Sequence, residues 1–231
     1  MAVNSTEGEG ITRDSFLSWV SISHEHTKHT FGGVLSREEI YLIKDPIGKF
    51  YIVNTLDRNS SEAVGHWLLF FFMKPPMLPV FFDSLGKEME DYYPPMAEWL
   101  VQPYETRDYL TNIDAVQSKT STFCGYYTLY MADMLSQGYG FNHAMGVFHP
   151  SKLSLNDWLM KSFVNGHMIN APYSHRQRSR ASATTRAPQI AYKRARLGAT
   201  SNKKTLGLSH SKRRIHHLIN SREANRRRSY Q

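Results

Sequence analysis

The chain has 231 residues, 41% of them apolar, one cysteine and a formal net charge of +8. That length and apolar content predict one packed domain with an extension. A single cysteine excludes an internal disulfide framework and fits a reducing compartment, and no apolar run approaches the ~20 residues a membrane helix needs. The start, "MAVNSTEGEGITRDSF", is polar and acidic and lacks the basic and apolar regions of a signal peptide. The charge is divided unevenly. Residues 1–170 carry 12 Lys+Arg against 19 Asp+Glu, whereas residues 171–231 carry 16 against one. The split predicts an acidic body and a basic tail that seeks polyanions.

In chain order, residues 1–12 are expected as a flexible arm. "RDSFLSWVSI" has helical spacing, with Phe16, Leu17 and Val20 on one face and Asp14 near the start. "SHEHTKHTFGGVLS" is expected as a loop, and "REEIYLI" fits helix or strand. "KFYIVNTL" and "VFFDSLG" are strand-like, and "HWLLFFFM" predicts a strand buried on both faces because it does not alternate. "MAEWLVQPY" predicts a helix ending before Pro103, and a short strand is expected near Asn112 to Val116. "TSTFCGYYTLYMADMLSQG" has helical spacing, with Ser121 or Thr122 as cap and Gly138 as stop. "SLNDWLMKSFVNGHMI" predicts a last helix capped by Ser154. Beyond Ile169 few large apolar residues remain, so 171–231 is expected to be mostly disordered. The domain is therefore expected over 13–170, with a mixed α and β composition.

Cys124 lies at the predicted start of a helix, where free N–H groups favour a thiolate. A thiol nucleophile needs a base, an orienting group for that base and a donor for the oxyanion. His66 opens the buried strand, Asp83 ends the next one, and Gln117 precedes the cysteine by seven residues. Gly125 is expected to let a substrate approach the Cys124 amide. Taken singly, Cys124 is a packing residue, His66 a strand-edge histidine and Asp83 a turn cap; only the set points to chemistry.

"GHWLLFF", "FFDS" and "QSKTSTFCGYY" together resemble the adenovirus-protease (adenain) family and, more distantly, the proteases that cut ubiquitin-like modifiers. The order His-Trp, Asp, Gln, Cys-Gly is that clan's pattern, and it covers roughly residues 30–137. The resemblance implies an α+β, papain-like fold, with a central mixed sheet flanked by helices. It implies Cys124 as nucleophile, His66 as general base, Asp83 orienting His66, and Gln117 with the Cys124 amide as oxyanion hole. Trp67 would shield the site. It also implies cleavage of viral precursor proteins at Gly-Gly or Gly-X-Gly sites during virion maturation. The adenovirus enzyme is activated by DNA and by a peptide joined through a second cysteine. This chain has no second cysteine, which excludes that covalent link. The basic tail is also outside the pattern, and the source expected is another DNA virus or a Maverick-type element.

No cofactor is required by the sequence, with DNA as activator or tether. Candidate phosphate contacts in the tail are Arg194, Arg196, Lys203, Lys204, Lys212, Arg213, Arg214, Arg226, Arg227 and Arg228, clustered in basic runs that also suit nuclear import. His24, His26 and His29 are close together but lack supporting carboxylate or thiol spacing, so they are expected in a solvated loop and not at a metal. The expected function is a cysteine endopeptidase of the host nucleus and virion, with protein precursors and DNA as partners and no membrane. The alternatives are a protease removing ubiquitin-like modifiers, and a non-catalytic nucleic-acid-binding structural protein.

Overall fold

A computed structural model describes residues 11–60, 65–164 and 189–195, all within the unit spanning residues 1–197. Helix α1 (Arg13–Ile22) begins at Thr12, whose hydroxyl accepts from the Ser15 amide at 3.3 Å. It buries Phe16, Trp19 and Val20, whereas Leu17, expected on the same face, is 44% exposed. The steps 16, 19 and 20 follow the helical stripe and 17 falls off it.

The expected loop that follows is ordered. It forms helix α2 (Glu25–Thr30) and strand β1 (Phe31–Leu35). "EHTKHT" has no apolar period, so its helix depends on polar ties that a pattern does not reveal. Lys28 pairs with Glu25 at 2.8 Å, and the buried Thr27 hydroxyl donates to Asp133 at 2.7 Å. Gly32, within the stretch expected as a loop, lies in β1 with the Tyr51 ring against it; a Cβ there would lie 2.3 Å from that ring. A 3₁₀ turn over Arg37–Leu42 follows, where the Ser36 amide donates to Glu39 Oε2 at 2.9 Å.

Strands β2 (Phe50–Asn54), β3 (Trp67–Phe71) and β4 (Val80–Phe82) form where the apolar runs predict them. Helix α3 (Pro95–Val101) stops before Pro103. Strand β5 spans Asp108–Asn112, earlier than the expected Asn112–Val116. The later residues turn across the end of β4, where the amides of Val116 and Gln117 both donate to the Ser84 carbonyl, at 2.9 and 3.0 Å. Gln117 is therefore in a loop and not at a strand end.

Helix α4 spans Cys124–Ser136. Its N-cap is Phe123 and not Ser121 or Thr122; the Ser121 hydroxyl instead accepts from the Phe123 amide at 3.2 Å. Gly138 ends it with φ +85°, the left-handed conformation that favours glycine. Helix α5 (Phe141–Met145) had no sequence expectation. Helix α6 (Leu153–Ser162) begins after Lys152, with Ser154 inside it rather than capping it.

The sheet order is β1-β2-β3-β4-β5-β6, with β1–β2 and β4–β5 parallel and the other pairs antiparallel. Strand β6 (Ile190–Arg194) lies within the stretch expected as tail. It pairs along all of β5, from Asp108↔Arg194 to Asn112↔Ile190. The remainder of 171–231 lies outside the described residues.

Because β3 is central, alternate residues enter two cores. Trp67, Leu69 and Phe71 pack with α1, α4 and α5 on one face. Leu68, Phe70 and Phe72 pack with Trp99 and Leu100 of α3 on the other. This explains the unbroken apolar run: both faces of the strand are covered. The chain is thus mixed α and β, with a six-stranded mixed sheet and helices on both faces. Among the described residues, no helix is long and apolar enough to cross a membrane.

Candidate active site

The sheet and α4 bring the four sequence-predicted residues together. His66 directly precedes β3, and its amide donates to the Thr55 hydroxyl at 3.0 Å while its carbonyl accepts from the Thr55 amide at 2.9 Å. His66 is thereby fixed to the end of β2. Asp83 directly follows β4 and is fully buried. Its Oδ1 accepts from His66 Nε2 at 2.5 Å and from the Leu85 amide at 2.9 Å. Its Oδ2 accepts from the Lys87 amide at 2.9 Å and from the Tyr92 hydroxyl at 2.8 Å. The buried carboxylate thus has four donors. The turn that wraps around it requires Gly86, at φ +70°, where a Cβ would also lie 2.6 Å from the Asp114–Ala115 backbone.

An ionised carboxylate only accepts, so its bond to Nε2 places a proton there. Cys124, which lines the same cleft, is the second group that favours the protonated ring. Burial disfavours the imidazolium, but the hydrogen bond to Asp83 and the charges of Asp83 and Cys124 outweigh it. The His66 pKa is pushed up to about 9. The ring also faces Tyr92, with centroids 5.8 Å apart and planes at 19°, a separation within cation–π reach. Burial and the neighbouring Asp83 charge push the Tyr92 hydroxyl up, so it remains a donor.

Cys124 is the first residue of α4 and is 8% exposed. Gln117 is buried at 2% exposure. Cys124, His66 and Gln117 line one cleft of about 790 Å³, together with Ile11, Ser36 and Leu85. Trp67 also lines it, and its indole N–H donates to the Ile11 carbonyl at 2.9 Å while its ring meets Phe16 edge-on at 4.8 Å.

Gly125 differs from expectation. A Cβ there would lie 2.9 Å from Phe16 and 3.0 Å from Ile11, so its missing side chain admits the N-terminal segment and α1 rather than a substrate. Ile11 and Thr12 accordingly belong to the body; residues 1–10 lie outside the described ones.

Sequence reasoning missed Tyr92, Ser84 and Asn112. Asn112 holds the Asp83 backbone, donating from Nδ2 to its carbonyl at 2.6 Å and accepting from its amide at 3.2 Å. Of the proposed phosphate contacts, Arg194 is the last residue of β6. Arg196, Lys203, Lys204, Lys212, Arg213, Arg214, Arg226, Arg227 and Arg228 lie outside the described residues. His26 and His29 are on α2 and His24 is its N-cap; among the described residues, no group of three His, Cys, Asp or Glu is placed to hold a metal. The chain matches no protein-family model and no curated protein.

Proposed function

We propose that the protein is a cysteine endopeptidase of the adenain type. The observation that carries this reading is that Cys124, at the start of α4, lines one cleft with His66, whose ring is bonded to a buried, fully hydrogen-bonded Asp83. A packing cysteine needs no such partner. A His66 that holds its proton at neutral pH places a positive charge at the cleft that Cys124 lines, the setting a thiol nucleophile needs.

In the proposed reaction the Cys124 thiolate attacks the scissile carbonyl carbon, and the carbonyl electrons move to oxygen. Gln117 and the Cys124 amide donate to that oxyanion. Its collapse expels the amine, which takes the proton from His66, and leaves a thioester on Cys124. His66 then removes a proton from water, which attacks the thioester. Cleavage of the C–S bond releases the acid and restores the thiolate–imidazolium pair. Asp83 holds the ring and stabilises its charge without taking the proton.

The proposed substrates are precursor proteins of a virus or virus-like element, cut at glycine-rich sites. The basic tail, with DNA as tether or activator, would bring the protease to precursors assembled on a genome, in the host nucleus and in the virion. The test is alkylation by iodoacetamide at pH 7, read by intact mass, because Cys124 is the only thiol. One adduct is expected, forming more slowly in His66→Ala. An unreactive native Cys124, or equal rates in the two proteins, would contradict the reading.

A further inference from the structure

Ser84 follows Asp83 and is likewise fully buried. Its hydroxyl lies 2.6 Å from Gln117 Oε1. On the other side of the same amide, Gln117 Nε2 donates to the Ser121 carbonyl at 2.6 Å. A carbonyl oxygen only accepts, so the Ser121 contact requires the NH₂ group at that position. Oε1 then faces Ser84, and the Ser84 hydroxyl is the donor. One of the two amide hydrogens is used by Ser121, leaving the second for the cleft that Gln117 lines. The Ser84 carbonyl also accepts the backbone amides of Val116 and Gln117, so Ser84 fixes both the main chain and the side chain of Gln117.

We infer that Ser84 is a positioning residue for the oxyanion donor. Its hydroxyl holds the Gln117 amide with N–H, rather than C=O, available to a developing negative oxygen. An amide turned the other way would present a partial negative charge to the oxyanion and oppose it. The end of β4 then orders both halves of the site: Asp83 orients the base and Ser84 orients the donor. Without Ser84, Oε1 would be buried with no donor, an arrangement costly enough to favour reorientation of the amide.

This inference rests on the protease reading, and its test separates the two. A peptide aldehyde adds to the Cys124 thiolate to give a hemithioacetal whose oxygen occupies the oxyanion position. Alkylation by iodoacetamide uses the same thiolate but develops no oxyanion. Ser84→Ala is expected to weaken aldehyde binding and lower kcat by about 10- to 100-fold, somewhat less than outright removal of a donor. KM and the alkylation rate should stay near wild type. In a Gln117→Ala background the Ser84 substitution should add no further loss, because its effect runs through that amide. If Ser84→Ala does not fold, the shape-matched pair Ser84→Thr and Ser84→Val gives the same comparison, with the loss confined to Val. Unchanged aldehyde affinity, equal loss of aldehyde binding and alkylation, or multiplying losses in the double variant would overturn the role of Ser84. A wild-type protein neither alkylated nor inhibited by the aldehyde would overturn the protease reading itself.

Discussion

His66 is the residue through which the site's chemistry and its pH response meet. With its pKa raised to about 9 by Asp83 and Cys124, the imidazolium contributes stability that is complete below the ordinary value of 6.5. That contribution is lost as pH rises through about 9. In the proposed reaction this proton leaves with the amine, so kcat/KM is expected to decline along an alkaline limb near pH 9. A limb that persists unchanged in Asp83→Asn would mean that another group titrates. Among substitutions, His66→Ala is expected to be most severe and Asp83→Asn intermediate, since Asn keeps the shape but not the charge. Gln117→Ala should cost about 10²–10³ in kcat. Tyr92→Phe should be mildest in rate while costing about 1.5–3 kcal/mol of stability, the usual contribution of a hydrogen bond to a charged group. Steady-state kinetics and denaturant melts on the four variants check the order. That Cys124, His66, Asp83 and Gln117 come together was legible because the residue types proposed as nucleophile, base, orienter and donor form a recognisable ordered set. Tyr92, Ser84 and Asn112 were not, because a polar residue that acts through a tertiary hydrogen bond leaves no period and no spacing.

At the scale of elements, the long apolar segments were legible and the polar or short ones were not. The run "HWLLFFFM" points to β3 because it is strand-length and apolar without alternation, as a strand covered on both faces is. Helix α2 was missed because it has no apolar period and is tied to the body by polar bonds such as Thr27 to Asp133, more than a hundred residues away in sequence. Strand β6 was missed because "IAYKR" resembles its basic surroundings; what orders it is the open edge of β5. Gln189 and Lys193 reinforce that pairing, the first donating its amide to Asp114 Oδ2 at 2.7 Å and the second pairing with Glu88. The buried Ala195 packs in the same core as the 1%-exposed Tyr109. Since β5 ends at Asn112, which holds the Asp83 backbone, β6 braces the strand that supports the Asp83 carboxylate. Truncation after Asn170 is therefore expected to destabilise the body and reduce peptide hydrolysis. Truncation after Leu197 should spare both. Thermal melts and peptide assays on the two truncations test this, and equal behaviour would show that β6 contributes nothing to the body.

For the whole molecule, the relevant property is the division of charge. Residues 198–231 carry nine Lys+Arg and one acid, beyond the strand that closes the sheet. Duplex DNA binding should therefore be strongly salt-dependent, with a log–log slope near ~5 if about six cations engage phosphates at once. Truncation after Leu197 should remove most of that slope, and anisotropy with labelled DNA at several salt concentrations measures it. The central claim, however, is proteolysis by Cys124, and a diverse peptide library incubated with wild-type protein and with Cys124→Ala tests it most directly, with cleaved bonds identified by mass spectrometry. Cleavage concentrated at glycine-rich sites is expected from the wild type, with a loss of roughly 10⁶ in rate on removing the nucleophile. No cleavage by wild type, or the same cleavage from both proteins, would contradict it.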